Sequence, residues 1–240
     1  MRAMQVATIL PGACVIALAA CDPPAPRCTL GDFPSRDTYC SSATLLALRE
    51  TAAIHIDDAA VAEVYDTLAP AWRAFPVTRL AQAWSWRTGL PDEVPIISTS
   101  PAIVDAWDAG RVATGDPAVD AVFLEHGLVD VRGKSTYGYI AHLRDPVNVT
   151  AYARLVATLP STELRDEPYP SHGIDITLAW DGPGRIATFE IGWGDCFLGC
   201  IWRHTVVVSL PGDGTAAVIR EYGDELSDAD RALAEAIAPP

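Results

Sequence analysis

Cys196, Cys200 and His204 recur every fourth residue within Gly192-Trp193-Gly194-Asp195-Cys196-Phe197-Leu198-Gly199-Cys200-Ile201-Trp202-Arg203-His204, the chain's densest run of chemically capable side chains. Three chemistries use such a set. Zinc sites employ C-x₂₋₄-C spacing, with His204 available as a third ligand. The alternation from Ile201 onward predicts a strand, however, which places His204 about 13 Å from Cys200 at roughly 3.3 Å per residue. Zinc ligands must converge within about 2.3 Å of one ion. Thiol–disulfide catalysis uses C-x-x-C at a helix N-terminus, where the dipole lowers the thiol pKa; here the spacing is three and a strand follows. A structural disulfide fits best, because Gly194 and Gly199 flank the pair and permit the turn that a Cα separation of about 4.4–6.8 Å requires. The reading is therefore a Cys196–Cys200 staple with no metal and no cofactor, and Cys196, Cys200 and His204 stand as the alternative metal set.

Disulfides imply export, and the N-terminus agrees. Arg2 precedes a mostly apolar stretch that ends Leu18-Ala19-Ala20-Cys21, the layout of a secretory signal too short to span a membrane. Those four residues resemble the bacterial lipobox. The resemblance implies a signal peptide over 1–20, diacylglycerol thioether-linked to the Cys21 sulfur, cleavage before Cys21 and acylation of the new amine. It also implies an envelope location facing the periplasm or exterior, with the inner or outer membrane left open. Cys14 lacks the pattern, because Pro11 stands three residues before it. Cys28, Cys40, Cys196 and Cys200 then remain to pair. Four cysteines allow three connectivities, and the local one, Cys28–Cys40 with Cys196–Cys200, has the lowest loop-closure demand.

The chain of 240 residues is half hydrophobic, a fifth charged, and carries a net charge of −14. That apolar content excludes wholesale disorder. The negative charge argues against docking on nucleic acid or an anionic lipid surface, so membrane attachment falls to the lipid.

The elements that must position these residues read as follows. Residues 21–40 are Pro-rich and predict a tether with a small cystine loop. A helix begins at Asp57 or Asp58, with Val61, Val64, Tyr65 and Leu68 on one face, and Pro70 ends or kinks it. Ser100-Pro101 to Gly110 and Asp116-Pro117 to Gly127 read as two punctuated helices. Tyr137, Tyr139, Ala141 and Leu143 alternate on a strand, and Asn148 opens a helix running to about Leu159. Ile174 to Glu221 reads as an antiparallel meander, with Ile176, Leu178, Trp180, Ala187, Phe189 and Ile191 facing inward. A short helix follows Ser227. The expected class is α+β, two-layer, with the C-terminal meander sheet covered on one face by short helices. Residues 41–115 form a mostly helical subdomain and 116–240 an α+β subdomain.

The stretch from Trp193 to His204 also resembles a W-G-D-C-x₃-C-x₃-H module of secreted and lipid-anchored bacterial proteins, extending back to Asp145-Pro146-Val147-Asn148. The resemblance implies a fold module following a strand and carries no activity. Elsewhere, His55, His126, His142 and His172 fall in separate segments, and G-x-S-x-G, Walker and H-E-x-x-H motifs are absent. Glu190 and Asp195 are a possible acid/base pair, though acids in so acidic a chain are normally solvated. Asn148-Val149-Thr150 matches a glycosylation sequon but reads as a helix cap. Trp72, Trp84, Trp86 and Trp107 are candidates for a ligand cleft, with core packing the favoured alternative. The resulting functional expectation is a lipid-anchored envelope protein with a binding or structural role. An envelope enzyme or metal protein built on Cys196, Cys200 and His204 is the alternative.

Overall fold

A computed structural model describes residues 28–30, 38–81, 93–135, 138–159, 162–164, 175–194 and 200–240. The order is α1 (Thr38–Glu50), α2 (Asp58–Ala74), a 3₁₀ turn (Pro76–Leu80), β1 (Glu93–Ser98), α3 (Pro101–Asp108), α4 (Pro117–Glu125), β2 (Leu128–Ser135), β3 (Gly138–Leu143), α5 (Val149–Val156), β4 (Thr162–Leu164), β5 (Asp175–Asp181), β6 (Gly184–Trp193), β7 (Trp202–Leu210), β8 (Ala217–Gly223) and α6 (Asp228–Ala236). The fold is α+β, and the C-terminal meander is present: β5-β6-β7-β8 pair antiparallel in chain order. A second antiparallel sheet, ordered β2-β3-β1-β4, was not anticipated.

Each sheet buries one face against its own helices. On the meander, Ile176, Ala187, Phe189, Val206 and Val208 pack with Val61, Leu68 and Trp72 of α2 and with Ala43 and Leu46 of α1. On the other sheet, Val94, Ile96, Val131, Tyr139 and Ala141 pack with Ile103 and Trp107 of α3, Phe123 of α4 and Tyr152 of α5. A half-apolar sheet needs one covering layer, and the chain provides it twice. The first core therefore draws on residues 28–81 and 176–226, while the second is continuous over 94–156. β1 and α3 pack with elements that follow residue 115. The span 41–115 holds most of α1, then α2, the 3₁₀ turn and α3, with β1 as its one strand among the described residues.

The segment read as a tether is in part core. Cys28 and Cys40 are joined by a disulfide with a Cα separation of 5.3 Å. Both are buried beside Leu30 and Tyr39, and α1 starts at Thr38. The Leu30 amide also donates to the Asp58 carboxylate at 2.8 Å. Lipobox residues 1–21 lie outside the described residues.

Local signals act largely as read. Asp57 caps α2 by accepting from the Ala60 amide, Asp116 caps α4 from Ala118 and Val119, and Asn148 caps α5 from Ala151. Gly110 and Gly127 follow their helices with φ of 68° and 76°, where glycine alone is unstrained. Pro70 does not end α2, which continues to Ala74. Burial of Ala71 and Trp72 at 0% exposure holds the last turn despite the missing backbone donor.

Candidate functional site

The sequence-predicted site is only partly within the described residues. Asp195, Cys196 and Gly199 lie outside them, as do Trp84, Trp86 and His172. Cys200 is buried and disulfide-bonded. His204, on β7 opposite Ile191 and Gly223, is 5% exposed. Its Nδ1 lies 2.9 Å from the Asp224 carbonyl and its Nε2 lies 3.0 Å from Glu221 Oε1. A carbonyl only accepts, so Nδ1 carries hydrogen. Nε2 faces the Glu221 carboxyl group. Gly223 makes this approach possible: at φ 108° it runs so close to the Arg203 carbonyl that a Cβ there would collide with it. Asp224 then bonds Arg203 in both directions, through its own amide at 2.7 Å and its carboxylate at 2.8 Å.

Two members of the alternative metal set, Cys200 and His204, are engaged within the protein. Cys200 is disulfide-bonded, and both His204 nitrogens are within hydrogen-bond distance of protein oxygens. Among the described residues, no group of three or more His, Cys, Asp or Glu converges as a metal site would. Glu190, the other half of the acid/base pair weighed above, is held by Arg203 at 3.0 Å. The tryptophan group does not form one cleft, since Trp72 and Trp107 are fully buried in different cores.

The structure shows a different concavity, which the sequence pattern did not reveal. A cleft of about 370 Å³ lies between α2, contributing Glu63, Asp66 and Thr67, and the ends of the meander strands, contributing Trp180 and Arg185. That volume suits a small ligand. Trp180, expected to face inward, is 71% exposed, burial falling off along β5 beyond Ile176. The Arg185 guanidinium sits 3.4 Å from the Trp180 ring centroid and bonds Glu50 at 2.8 Å. One cation is thus shared by the hairpin and the end of α1.

A third cluster joins segments remote in sequence. His55 Nε2 and His126 Nδ1 are 2.9 Å apart, with ring centroids at 5.1 Å. The His126 ring stands edge-on to Tyr152, 5.4 Å away. Burial, followed by the charge of His55, holds the His126 imidazole below its ordinary pKa, while Glu125 opposes the shift. Burial alone pushes the Tyr152 phenol up, and its hydroxyl has no partner among the described residues. Tyr139 is pushed up to about 12, first by burial and then by the Asp108 carboxylate 2.6 Å away. Phenols so shifted stay neutral and serve packing.

Arg79 is a further positioning residue without a sequence signal. It is 7% exposed, and its guanidinium donates to the carbonyls of Trp72 at 2.7 Å, Arg73 at 3.2 Å, Ala234 at 3.5 Å and Ile237 at 3.0 Å. It therefore satisfies the orphan carbonyls at the ends of α2 and α6. No helix among the described residues is long and apolar enough to cross a membrane. No family model, curated protein or solved structure matches the chain.

Proposed function

We propose that the protein is a lipid-anchored component of a bacterial cell envelope that binds a partner or braces structure there and does not catalyse a reaction. The observation that carries this reading is Leu18-Ala19-Ala20-Cys21 behind a basic start and a short apolar stretch. The Cys28–Cys40 disulfide supports it, because such bonds persist in oxidising compartments. Attachment rests on the acyl chains, each buried CH₂ contributing about 0.8 kcal/mol, so an acidic chain needs no basic patch and no nucleic-acid partner. The surface we assign to binding is the cleft beside Trp180, a concave site that carries both an exposed aromatic ring and carboxylates. The alternative enzyme or metal protein is disfavoured by the bonded state of Cys200 and the double engagement of His204.

Detergent phase partition of the chain expressed in a bacterial host tests the anchor. The wild-type chain is expected in the detergent phase and Cys21→Ser in the aqueous phase. A wild-type chain that stays aqueous, or a Cys21→Ser chain that remains with detergent, overturns the assignment.

A further inference from the structure

The loop between α1 and α2 belongs by connectivity to the first core, yet it is docked on the second. The Asn148 amide donates to the Ile54 carbonyl at 2.8 Å, and Asn148 Nδ2 donates to the Thr51 carbonyl at 2.7 Å. Ile54 packs on the second core. His55 then meets His126, the residue that closes α4, with two imidazole nitrogens 2.9 Å apart. The centroid spacing of 5.1 Å approaches that N···N distance plus the two ring radii, so the rings meet nearly head-on. Lone pairs in that arrangement point at each other and not at a common third point, which suits a shared hydrogen and not a chelated metal ion. A neutral pair supplies one N–H donor and one acceptor, whereas two imidazolium rings supply only donors.

We propose that the His55–His126 pair is a proton-operated latch, which fastens the α1–α2 loop onto the second core while at least one ring is neutral and releases it when both are protonated. The charged and titratable groups around it are Glu125 on α4, Tyr152 on α5, Arg144 just beyond β3, and Asp57 at the end of the loop. Glu125 favours protonation of His126; the Arg144 amide donates to the Gly127 carbonyl at 2.9 Å, and Asp57 is committed to capping α2. The depressed pKa of His126 gives the sign. A histidine whose folded-state pKa lies below its unfolded value binds its proton more readily once released, so docking is complete above the ordinary histidine range and weakens as pH falls through it.

The Asn148 amide reports docking directly, and hydrogen exchange of the detergent-solubilised full chain reads it by mass spectrometry. Between pH 7.5 and 5.0, its protection, corrected for intrinsic exchange, is expected to fall. His126→Ala should show the acid value already at pH 7.5. His55→Gln, which can donate or accept without gaining a proton, should weaken the pH dependence, because the charge of His55 is removed while the burial of His126 remains. Protection of Asn148 that is independent of pH in the wild-type chain refutes the latch. So does an equal pH dependence in His55→Gln, or undiminished protection in His126→Ala at pH 7.5.

Discussion

Replacing Cys28 and Cys40 together with alanine separates two pictures of the N-terminal segment. A cross-link in a stretch that is loose in both the folded and unfolded chain contributes almost nothing to stability. A cross-link whose ends are fixed in a core restricts only the unfolded ensemble and stabilises by the loop-closure entropy. Cys28 and Cys40 are 12 residues apart in sequence and buried at 0% and 4% exposure against α1 and α2. For a loop of that length the chain-entropy relation gives about 3 kcal/mol. Urea unfolding of the wild-type and double-alanine chains, followed by far-UV circular dichroism and analysed by linear extrapolation, measures it. The expected result is a loss of about 3 kcal/mol with an unchanged slope. A loss below about 0.5 kcal/mol, the ordinary range for surface changes, would show that residues 28–40 are a tether after all and that the first core does without them.

Phe123→Ala removes a fully buried ring set edge-on to Trp107 and Tyr152. It should destabilise the second core by about 3–5 kcal/mol, read by exchange across residues 94–156, with the amides of β6 and β7 unaffected; equal loosening of both would contradict separate cores. Asp120 should make stability acid-sensitive. Burial raises its pKa, but bonds from the Thr114 amide and hydroxyl and the Gly115 amide lower it further, leaving a net depression. Its stabilisation is present above the ordinary aspartate range and lost as pH falls through the folded-state value, so Asp120→Asn should flatten the low-pH stability profile; an unchanged profile counts against it. Arg79→Met strips four carbonyls of a charged donor and should cost about 2–3 kcal/mol in chemical unfolding; a cost under about 0.5 kcal/mol refutes its joining role.

The local grammar of the fold is readable in the residues themselves. Asp116-Pro117 and Gly127 bracket α4, and Asn148 opens α5, because a cap needs only a side-chain oxygen within three residues of the amides it serves. The meander is equally plain, since Ala187, Phe189 and Ile191 alternate on one strand and Val206 and Val208 on the next. Which helices cover which sheet is not readable. β2 reads Leu-Val-Asp-Val-Arg-Gly-Lys-Ser, β4 has three residues, and neither alternates long enough to announce a strand. The second sheet exists through pairing across the chain, as in Ile96 opposite Tyr139. Candidate sites follow the same division. His204 shares the buried face of Val206 and Val208 by strand alternation, but its partners Glu221 and Asp224 come from the next strand and its exit. His55 and His126 are 71 residues apart, and no spacing rule connects them. Trp180 follows the inward alternation of β5 yet is exposed, because alternation assigns a face and not whether a helix reaches far enough to cover it.

The most direct test of the envelope assignment is the mass of the N-terminal peptide of the mature protein, isolated from membranes and sequenced by tandem mass spectrometry. The account predicts a chain that begins at Cys21 and carries diacylglycerol on its sulfur, with Cys28 and Cys40 in the mature chain linked to each other. A mature chain that begins elsewhere, or a Cys21 that is unmodified or bonded to another cysteine, would contradict it.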